Sequence, residues 1–196
     1  MLAKGVRAGP RVARNELASA TSIRRVRASR LAVLVKAELK VGDKMSDYAD
    51  YYRVLNRSDG GAVSISSFQG KKPVVLFFYP KAGTPGCTKE ACKFRDEYQR
   101  FEEAGAAVFG ISSDSPDVNA AFAKEQGLQF PLLTDGNSIL RKTFGIKADL
   151  LGLLPGRQTY VIDINGKVIL SFNDQFNAEQ HVSMALNALQ NAKAMA

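Results

Sequence analysis

Two cysteines, Cys87 and Cys92, are the residues of this chain whose chemistry goes furthest beyond packing. Thr84 and Pro85 precede them as a helix N-cap and a first helical residue, which places Cys87 in the first turn of a helix. Unpaired backbone N–H groups and the positive end of the helix dipole favour a thiolate over a thiol at that position. Cys87 is therefore a candidate nucleophile. The alternative is a small, buried hydrophobic residue.

The apolar face of the predicted helix includes this cysteine. Alternating steps of four and three residues, which follow one side of a helix, join Cys87, Ala91, Phe94, Tyr98 and Phe101. We therefore expect the sulfur of Cys87 to face the core, where it is partly shielded from water.

Cys92 follows Cys87 by five residues. Along a helix this spacing corresponds to ~7.5 Å of rise and ~140° of rotation. A disulfide needs Cα atoms within ~7 Å and converging Cβ vectors, so the pair cannot bond while the helix is intact. The spacing predicts a reduced, helical form and an oxidised form in which the first turn or two is unwound. The alternative is that Cys92 is a packed helix residue.

Composition and charge exclude several classes of protein. The chain has 196 residues, of which 45% are hydrophobic, and a single histidine, His181. Two cysteines and one histidine are too few for a four-ligand structural zinc site built from nitrogen and sulfur alone, or for a disulfide-rich scaffold. No apolar stretch reaches the ~18–20 residues of a membrane span. The excess of positive charge lies entirely in residues 1–44, so the remainder gives no reason to expect a nucleic-acid partner.

The basic N-terminal segment predicts a targeting function. Residues 1–38 are rich in Arg, Ala and Ser and nearly free of acidic residues, which is typical of an organelle transit peptide. The alternative is a basic arm that stays attached. We expect residues 39–196 to form one folded domain.

The rest of the chain alternates between strand and helix patterns, which predicts an α/β domain. His181 is expected on the exposed side of the last helix. The predicted strands are 52–55, 62–65, 73–79, 107–112, 130–133, 159–163 and 167–172, and the predicted helices are 86–104, 116–126, 138–144 and one that is capped by Asn177.

A resemblance to a known family comes from the stretch Y-P-K-A-G-T-P-G-C-T-K-E-A-C. Pro80, Thr84 and Cys87 reproduce the P-x-x-x-T-x-x-C signature of peroxiredoxins. With Cys92 five residues on, the stretch resembles the peroxiredoxin Q, or bacterioferritin comigratory protein, subfamily. The similarity runs from about residue 39 to about residue 189. It implies a thioredoxin-like fold, a central mixed sheet flanked by helices.

The resemblance also implies roles for five residues. Cys87 is the expected peroxidatic cysteine, Thr84 its hydrogen-bonding partner, Pro80 its shield from water, and Arg157 the guanidinium that stabilises the thiolate and polarises the peroxide. Cys92 is expected to resolve the sulfenic acid as an intramolecular disulfide, which a thioredoxin-type dithiol reduces. The implied protein is a monomer that uses no cofactor or metal.

The resemblance thus implies a peroxidase for hydrogen peroxide and alkyl hydroperoxides, located in the chloroplast or, as the alternative, in the mitochondrion. Two other functions stay open at this point. One is a general thiol–disulfide reductase, which would normally use two cysteines in C-x-x-C spacing. The other is a redox-sensing interaction protein, in which unwinding of the helix exposes a surface for a partner.

Overall fold

The computed structural model describes residues 38–149 and 151–194, which form one seven-stranded sheet with helices packed on it. Short 3-10 helices at 45–47, 49–52, 65–68 and 136–138 connect the larger elements. The strands are β1 Val54–Arg57, β2 Ala62–Ser64, β3 Val74–Phe78, β4 Ala107–Ser112, β5 Leu132–Thr134, β6 Gln158–Ile162 and β7 Val168–Asn173. The helices are α1 Pro85–Asp96, α2 Tyr98–Glu103, α3 Pro116–Glu125, α4 Ile139–Thr143 and α5 Gln180–Ala194.

The sheet is mixed. Its strand order is β2-β1-β5-β4-β3-β6-β7. At the centre, β3 runs parallel to β4 and antiparallel to β6. The outer pairs β1–β2, β1–β5 and β6–β7 are antiparallel, whereas β4–β5 is parallel. The predicted α/β class with a central mixed sheet flanked by helices is confirmed.

Strand β3 divides the core into two apolar clusters. Every residue of this strand is buried, as its unbroken apolar run predicts for a strand that is covered on both faces. Because side chains alternate along a strand, Leu76 and Phe78 enter one cluster. Val75 and Phe77 enter the other, which also contains Cys87. The end of β3 therefore leads directly to the cysteine-bearing helix.

The helix that follows β3 is shorter than predicted. A single helix over 86–104 was expected, but α1 ends at Asp96 and α2 starts at Tyr98. Between them, the Glu97 backbone leaves the helical region at φ −101° and ψ 8°. The Glu97 carboxylate accepts hydrogen bonds from Lys93 and Arg100, on either side of the break. The apolar spacing continues across this corner, which explains why the pattern alone did not reveal it.

The predicted transit segment, residues 1–38, falls outside the described residues except for Glu38. It therefore stays a prediction. None of the helices in residues 38–149 and 151–194 combines the length and the apolar character needed to cross a bilayer.

Candidate active site

Cys87 lies in the first turn of α1, where its side chain is only 1% exposed. Thr84 is the N-cap residue and Pro85 the first helical residue, as predicted. The Thr84 hydroxyl makes no capping bond and instead donates to the Lys81 carbonyl over 3.0 Å. The first-turn N–H groups next to the sulfur thus have no side-chain cap, and their positive partial charges favour a neighbouring anion.

Arg157 reaches the same sulfur from the other side of the site. It immediately precedes β6, is 3% exposed, and its Nη2 donates to Cys87 Sγ over 3.6 Å. Gly86 leaves room for this approach, because a Cβ at that position would lie 3.2 Å from Arg157 Nη2 and the guanidinium would have to shift by a few tenths of an ångström. Two residues that are 70 positions apart are therefore in contact, and a fixed positive charge faces the thiol.

A cavity of about 550 Å³ opens onto the cysteine. Four of the five predicted site residues line it, namely Pro80, Thr84, Cys87 and Arg157. The fifth, Cys92, does not. The remaining walls are mostly apolar and come from Lys81, Gly86, Leu153, Leu154, Pro155, Gln175 and Phe176.

Cys92 lies further along α1, half-buried against the C-terminal end of α3. Its sulfur donates to Gln126 Oε1 over 3.4 Å, and Arg95 Nη1 donates to the Gln126 carbonyl over 2.8 Å. Both cysteines are free thiols, and α1 is continuous from Pro85 to Asp96. The five-residue spacing thus falls within one helix, the arrangement in which we expect no disulfide to form.

Glu90 is a site residue that the sequence analysis missed. It is fully buried, and its Oε2 is ion-paired with Arg157 Nη1. Burial raises the pKa of Glu90, and the adjacent Arg157 guanidinium opposes this rise. A signal was present in the sequence, because Glu90 follows Cys87 by three residues and so lies on the apolar side of the helix. Burying an acidic residue on an apolar helix face is costly unless a cation or a hydrogen-bond donor is buried with it.

Arg141 is a second missed residue. Its side chain extends from α4 and is buried, with Nη2 donating to the Tyr79 carbonyl over 2.6 Å and Nη1 donating to the Gly156 carbonyl. Tyr79 precedes Pro80, and Gly156 precedes Arg157. Arg141 thus ties together the two neighbouring backbone segments that carry Pro80 and Arg157.

His181 is buried, so the prediction that it is exposed was wrong. Its Nε2 donates to the Asp174 carbonyl over 2.9 Å, and its Nδ1 accepts from the Thr159 hydroxyl over 2.8 Å. These roles follow because a carbonyl oxygen can only accept, which puts the ring proton on Nε2. Burial lowers the pKa of His181 to about 4, so the ring is neutral at pH 7.

The buried histidine predicts a loss of stability in acid. An exposed histidine in the unfolded chain titrates near 6.5, so the unfolded chain binds the extra proton between about pH 6.5 and pH 4. The stabilising contribution is complete above about pH 6.5, and about 3 kcal/mol is lost as the pH falls to about 4. Urea unfolding of the wild type and His181→Gln at several pH values measures this difference. Parallel pH dependences in the two proteins would contradict the expectation.

The geometry suits attack on a small oxidant. A buried sulfur at a helix N-terminus faces a guanidinium and an open cavity, so charge on the sulfur, or on an oxygen bound next to it, is stabilised. In residues 38–149 and 151–194, no three His, Cys, Asp or Glu side chains come together as a group that could hold a metal ion.

Comparison with known proteins agrees with this geometry. The model of the AhpC/TSA family matches residues 41–171. Peroxiredoxin Q, chloroplastic, of Gentiana triflora is 52% identical over 138 residues, which cover 70% of this chain and 63% of that protein. The corresponding protein of Sedum lineare is 52% identical over 139 residues, which cover 71% of this chain and 74% of that protein.

Solved structures show the same relationship. Peroxidoxin BcpB from Mycobacterium tuberculosis is 39% identical with a TM-score of 0.69, and the match covers 79% of this chain and 98% of that one. A bacterioferritin comigratory protein from Xanthomonas campestris is 27% identical with a TM-score of 0.65, and the match covers 80% of this chain and 99% of that one. The predicted thioredoxin-like fold is confirmed. The chain belongs to the AhpC/TSA family, in the peroxiredoxin Q or bacterioferritin comigratory protein subfamily.

Proposed function

We propose that this chain is a thiol-dependent peroxidase that reduces hydrogen peroxide and alkyl hydroperoxides, with Cys87 as the nucleophile. The main support is the buried Cys87 sulfur, 3.6 Å from Arg157 Nη2 at a cavity that also contains Pro80 and Thr84. A Xanthomonas campestris relative is described as reducing alkyl peroxides. The apolar walls around Cys87 can accommodate the alkyl part of such a substrate.

The first step is nucleophilic attack on the O–O bond. The Cys87 thiolate forms an S–O bond with one peroxide oxygen as the O–O bond breaks, which leaves a sulfenic acid. The other oxygen departs as an alkoxide or hydroxide and takes up a proton to give an alcohol or water. Arg157 stabilises the negative charge on the sulfur and then on the departing oxygen.

Thr84 and Pro80 complete the binding site. The Thr84 hydroxyl donates its proton to the Lys81 carbonyl, so its oxygen keeps lone pairs that can accept the O–H of a hydroperoxide. Pro80 has no N–H to offer and covers part of the cavity wall, which limits the access of water to the thiolate.

Counting thiols tests the proposed function most directly. Reduced protein is mixed with one equivalent of hydrogen peroxide, and free thiols are counted. The wild type is expected to lose both thiols per chain, whereas Cys92→Ser is expected to lose one and to hold a sulfenic acid that reacts with dimedone. A wild type that keeps both thiols would contradict the proposal.

In the second step Cys92 attacks the Cys87 sulfenic acid, so that an intramolecular S–S bond forms and water leaves. A thioredoxin-type dithiol then reduces the disulfide by exchange and becomes a disulfide itself. This proposal is supported by the two free thiols of α1 and by the chain's membership of the peroxiredoxin Q subfamily. A general disulfide reductase is less well supported, because the sulfurs are not in C-x-x-C spacing.

Disulfide formation is expected to unwind the first turn or two of α1. The Cα separation implied by five helical residues exceeds what a disulfide spans, so part of the segment 85–92 must leave the helix. The helical circular dichroism of the wild type should fall after oxidation, and backbone amides near Cys92 should exchange faster. Peroxide-treated Cys92→Ser is the matched control and should keep its helix. Formation of the disulfide with an unchanged spectrum would contradict this expectation.

We further propose that the protein is a monomer located in the chloroplast, with the mitochondrion as the alternative. Support comes from the relatives described as chloroplastic and from the basic excess in residues 1–44. A fluorescent protein fused behind residues 1–44 tests the destination, and N-terminal sequencing of the native protein tests whether the segment is removed.

A further inference from the structure

His181 is a buried titratable side chain next to the site that the proposed mechanism does not use. Its ring packs edge-on against Phe172, with 4.8 Å between the ring centroids. Both ring nitrogens are hydrogen-bonded, Nδ1 to Thr159 on β6 and Nε2 to the Asp174 carbonyl in the segment after β7. The ring therefore joins α5 to the sheet and to this segment in one defined orientation.

The segment that His181 holds makes most of the contacts that orient Arg157. Gln175, next to Asp174, accepts the Arg157 backbone N–H on Oε1 over 3.0 Å and accepts Arg157 Nε on its carbonyl over 3.3 Å. On the other side of Asp174, Asn173 Nδ2 donates to the Arg157 carbonyl over 2.8 Å. Residues 173–175 thus hold Arg157 at its backbone and at its guanidinium.

The remaining contacts of the Arg157 guanidinium are with α1. Nη1 pairs with Glu90 and Nη2 donates to Cys87, and both partners belong to the segment that must unwind for the disulfide to form. Glu90 Oε1 has no hydrogen-bond partner and lies 3.7 Å from His181 Nδ1. When α1 unwinds, Gln175 is the partner that still holds the guanidinium in place.

We propose that His181 is a positioning residue for the peroxidase reaction. By holding the Asp174 carbonyl it fixes Gln175, and Gln175 in turn aims the Arg157 guanidinium at the Cys87 sulfur. The inference rests on the proposed function, since it assigns His181 a role in the reaction of Cys87 with peroxide. His181 neither lines the substrate cavity nor bonds to the sulfur, so its proposed effect on the reaction passes through Arg157.

Replacing His181 by glutamine or by asparagine tests its two hydrogen bonds separately, because each substitution keeps only one of them. A glutamine reaches as far as Nε2 and can still donate to the Asp174 carbonyl. An asparagine reaches only as far as Nδ1 and keeps the contact with Thr159 instead. His181→Asn and His181→Ala are expected to lower the second-order rate constant for hydrogen peroxide by about 10-fold, because small displacements of a catalytic group are costly. His181→Gln should stay within about 3-fold of the wild type.

Alkylation of Cys87 provides a readout that a purely structural role would not change. With the guanidinium misaligned, the pH profile of iodoacetamide alkylation should move to higher pH in His181→Asn and remain in place in His181→Gln. The rate constant for peroxide and the alkylation profile are both measured in a Cys92→Ser background, so that only one thiol reacts. Leu189→Ala is the matched control, because Leu189 is buried on α5 two turns further on. It should lower the melting temperature without moving the profile.

The outcomes distinguish this inference from the proposed function. If the wild type fails to react with peroxide, the proposed function is wrong. If the wild type reacts and His181→Ala matches it in rate and in alkylation profile, only the role of His181 is wrong. An Asn variant as active as the wild type beside an impaired Gln variant would also overturn it, as would a Leu189→Ala variant as impaired as His181→Ala.

Discussion

Replacement of Cys87 by serine is expected to reduce the rate of peroxide consumption to that of buffer, at least about 10,000-fold below the wild type. A serine hydroxyl in the same place stays protonated at neutral pH and is a much weaker nucleophile toward an O–O bond. The substitution exchanges sulfur for oxygen in a side chain of similar size, so the surrounding cluster should remain packed. Stopped-flow measurement of peroxide loss gives the rate constant.

The matched control for this substitution is Cys92→Ser. It should consume one equivalent of peroxide in the first step at a rate close to that of the wild type and then stop, because the sulfenic acid has no partner thiol. If Cys87→Ser consumes peroxide as fast as the wild type, the two roles have been assigned wrongly.

Replacement of Arg157 by alanine is expected to have the second largest effect, a loss of about 100-fold to 1,000-fold in the rate constant for peroxide. The guanidinium is the cation in hydrogen-bonding contact with the Cys87 sulfur, and it lies in a buried site where electrostatic interactions are strong. Its removal weakens the stabilisation of the thiolate and of the departing oxygen together. Alkylation of the thiol should therefore slow at neutral pH, and its pH profile should move upward.

Arg157→Ala also leaves the buried Glu90 carboxyl without its partner. The controls must therefore separate a loss of stability from a loss of reactivity. Breaking such a pair costs about 3–5 kcal/mol, so the melting temperature has to be measured alongside the rate. The double variant Arg157→Ala/Glu90→Gln removes the stranded acid and should recover stability but not activity. Arg157→Lys keeps a positive charge but has a single nitrogen in place of the two that contact Cys87 and Glu90. Its rate constant should lie between those of the wild type and Arg157→Ala. An alkylation profile unaffected by Arg157→Ala would exclude the residue from thiolate stabilisation.

The parts of the fold that local rules control were predictable from the sequence. Thr84 and Pro85 mark the start of α1, and Ser115 caps α3 by accepting the Val118 N–H, as its position before Pro116 predicts. The apolar run at Val74–Phe78 identified the central strand. Such features depend on a few neighbouring residues, so the sequence contains all the information that they need.

The contacts between distant elements were not predictable in the same way. The pairing of Arg157 with Glu90 depends on how β6 lies beside β3 and how α1 packs over both, which no local pattern contains. The burial of His181, in contrast, is indicated by its spacing from apolar residues of the same helix. Ala185 and Leu189 follow it by four and eight residues, so the three share one side of α5. The polarity of a histidine predicts exposure, whereas two hydrogen bonds satisfy the buried ring.

The placement of both sulfurs in one helix has an electrochemical consequence. If oxidation requires α1 to unwind, the stability of that helix contributes to the midpoint potential of the dithiol/disulfide couple. Each ~1.4 kcal/mol of added helix stability favours the dithiol and raises the potential by ~30 mV. Substitutions near Pro85 that touch neither sulfur would then determine which cellular electron donors are reducing enough to regenerate the protein.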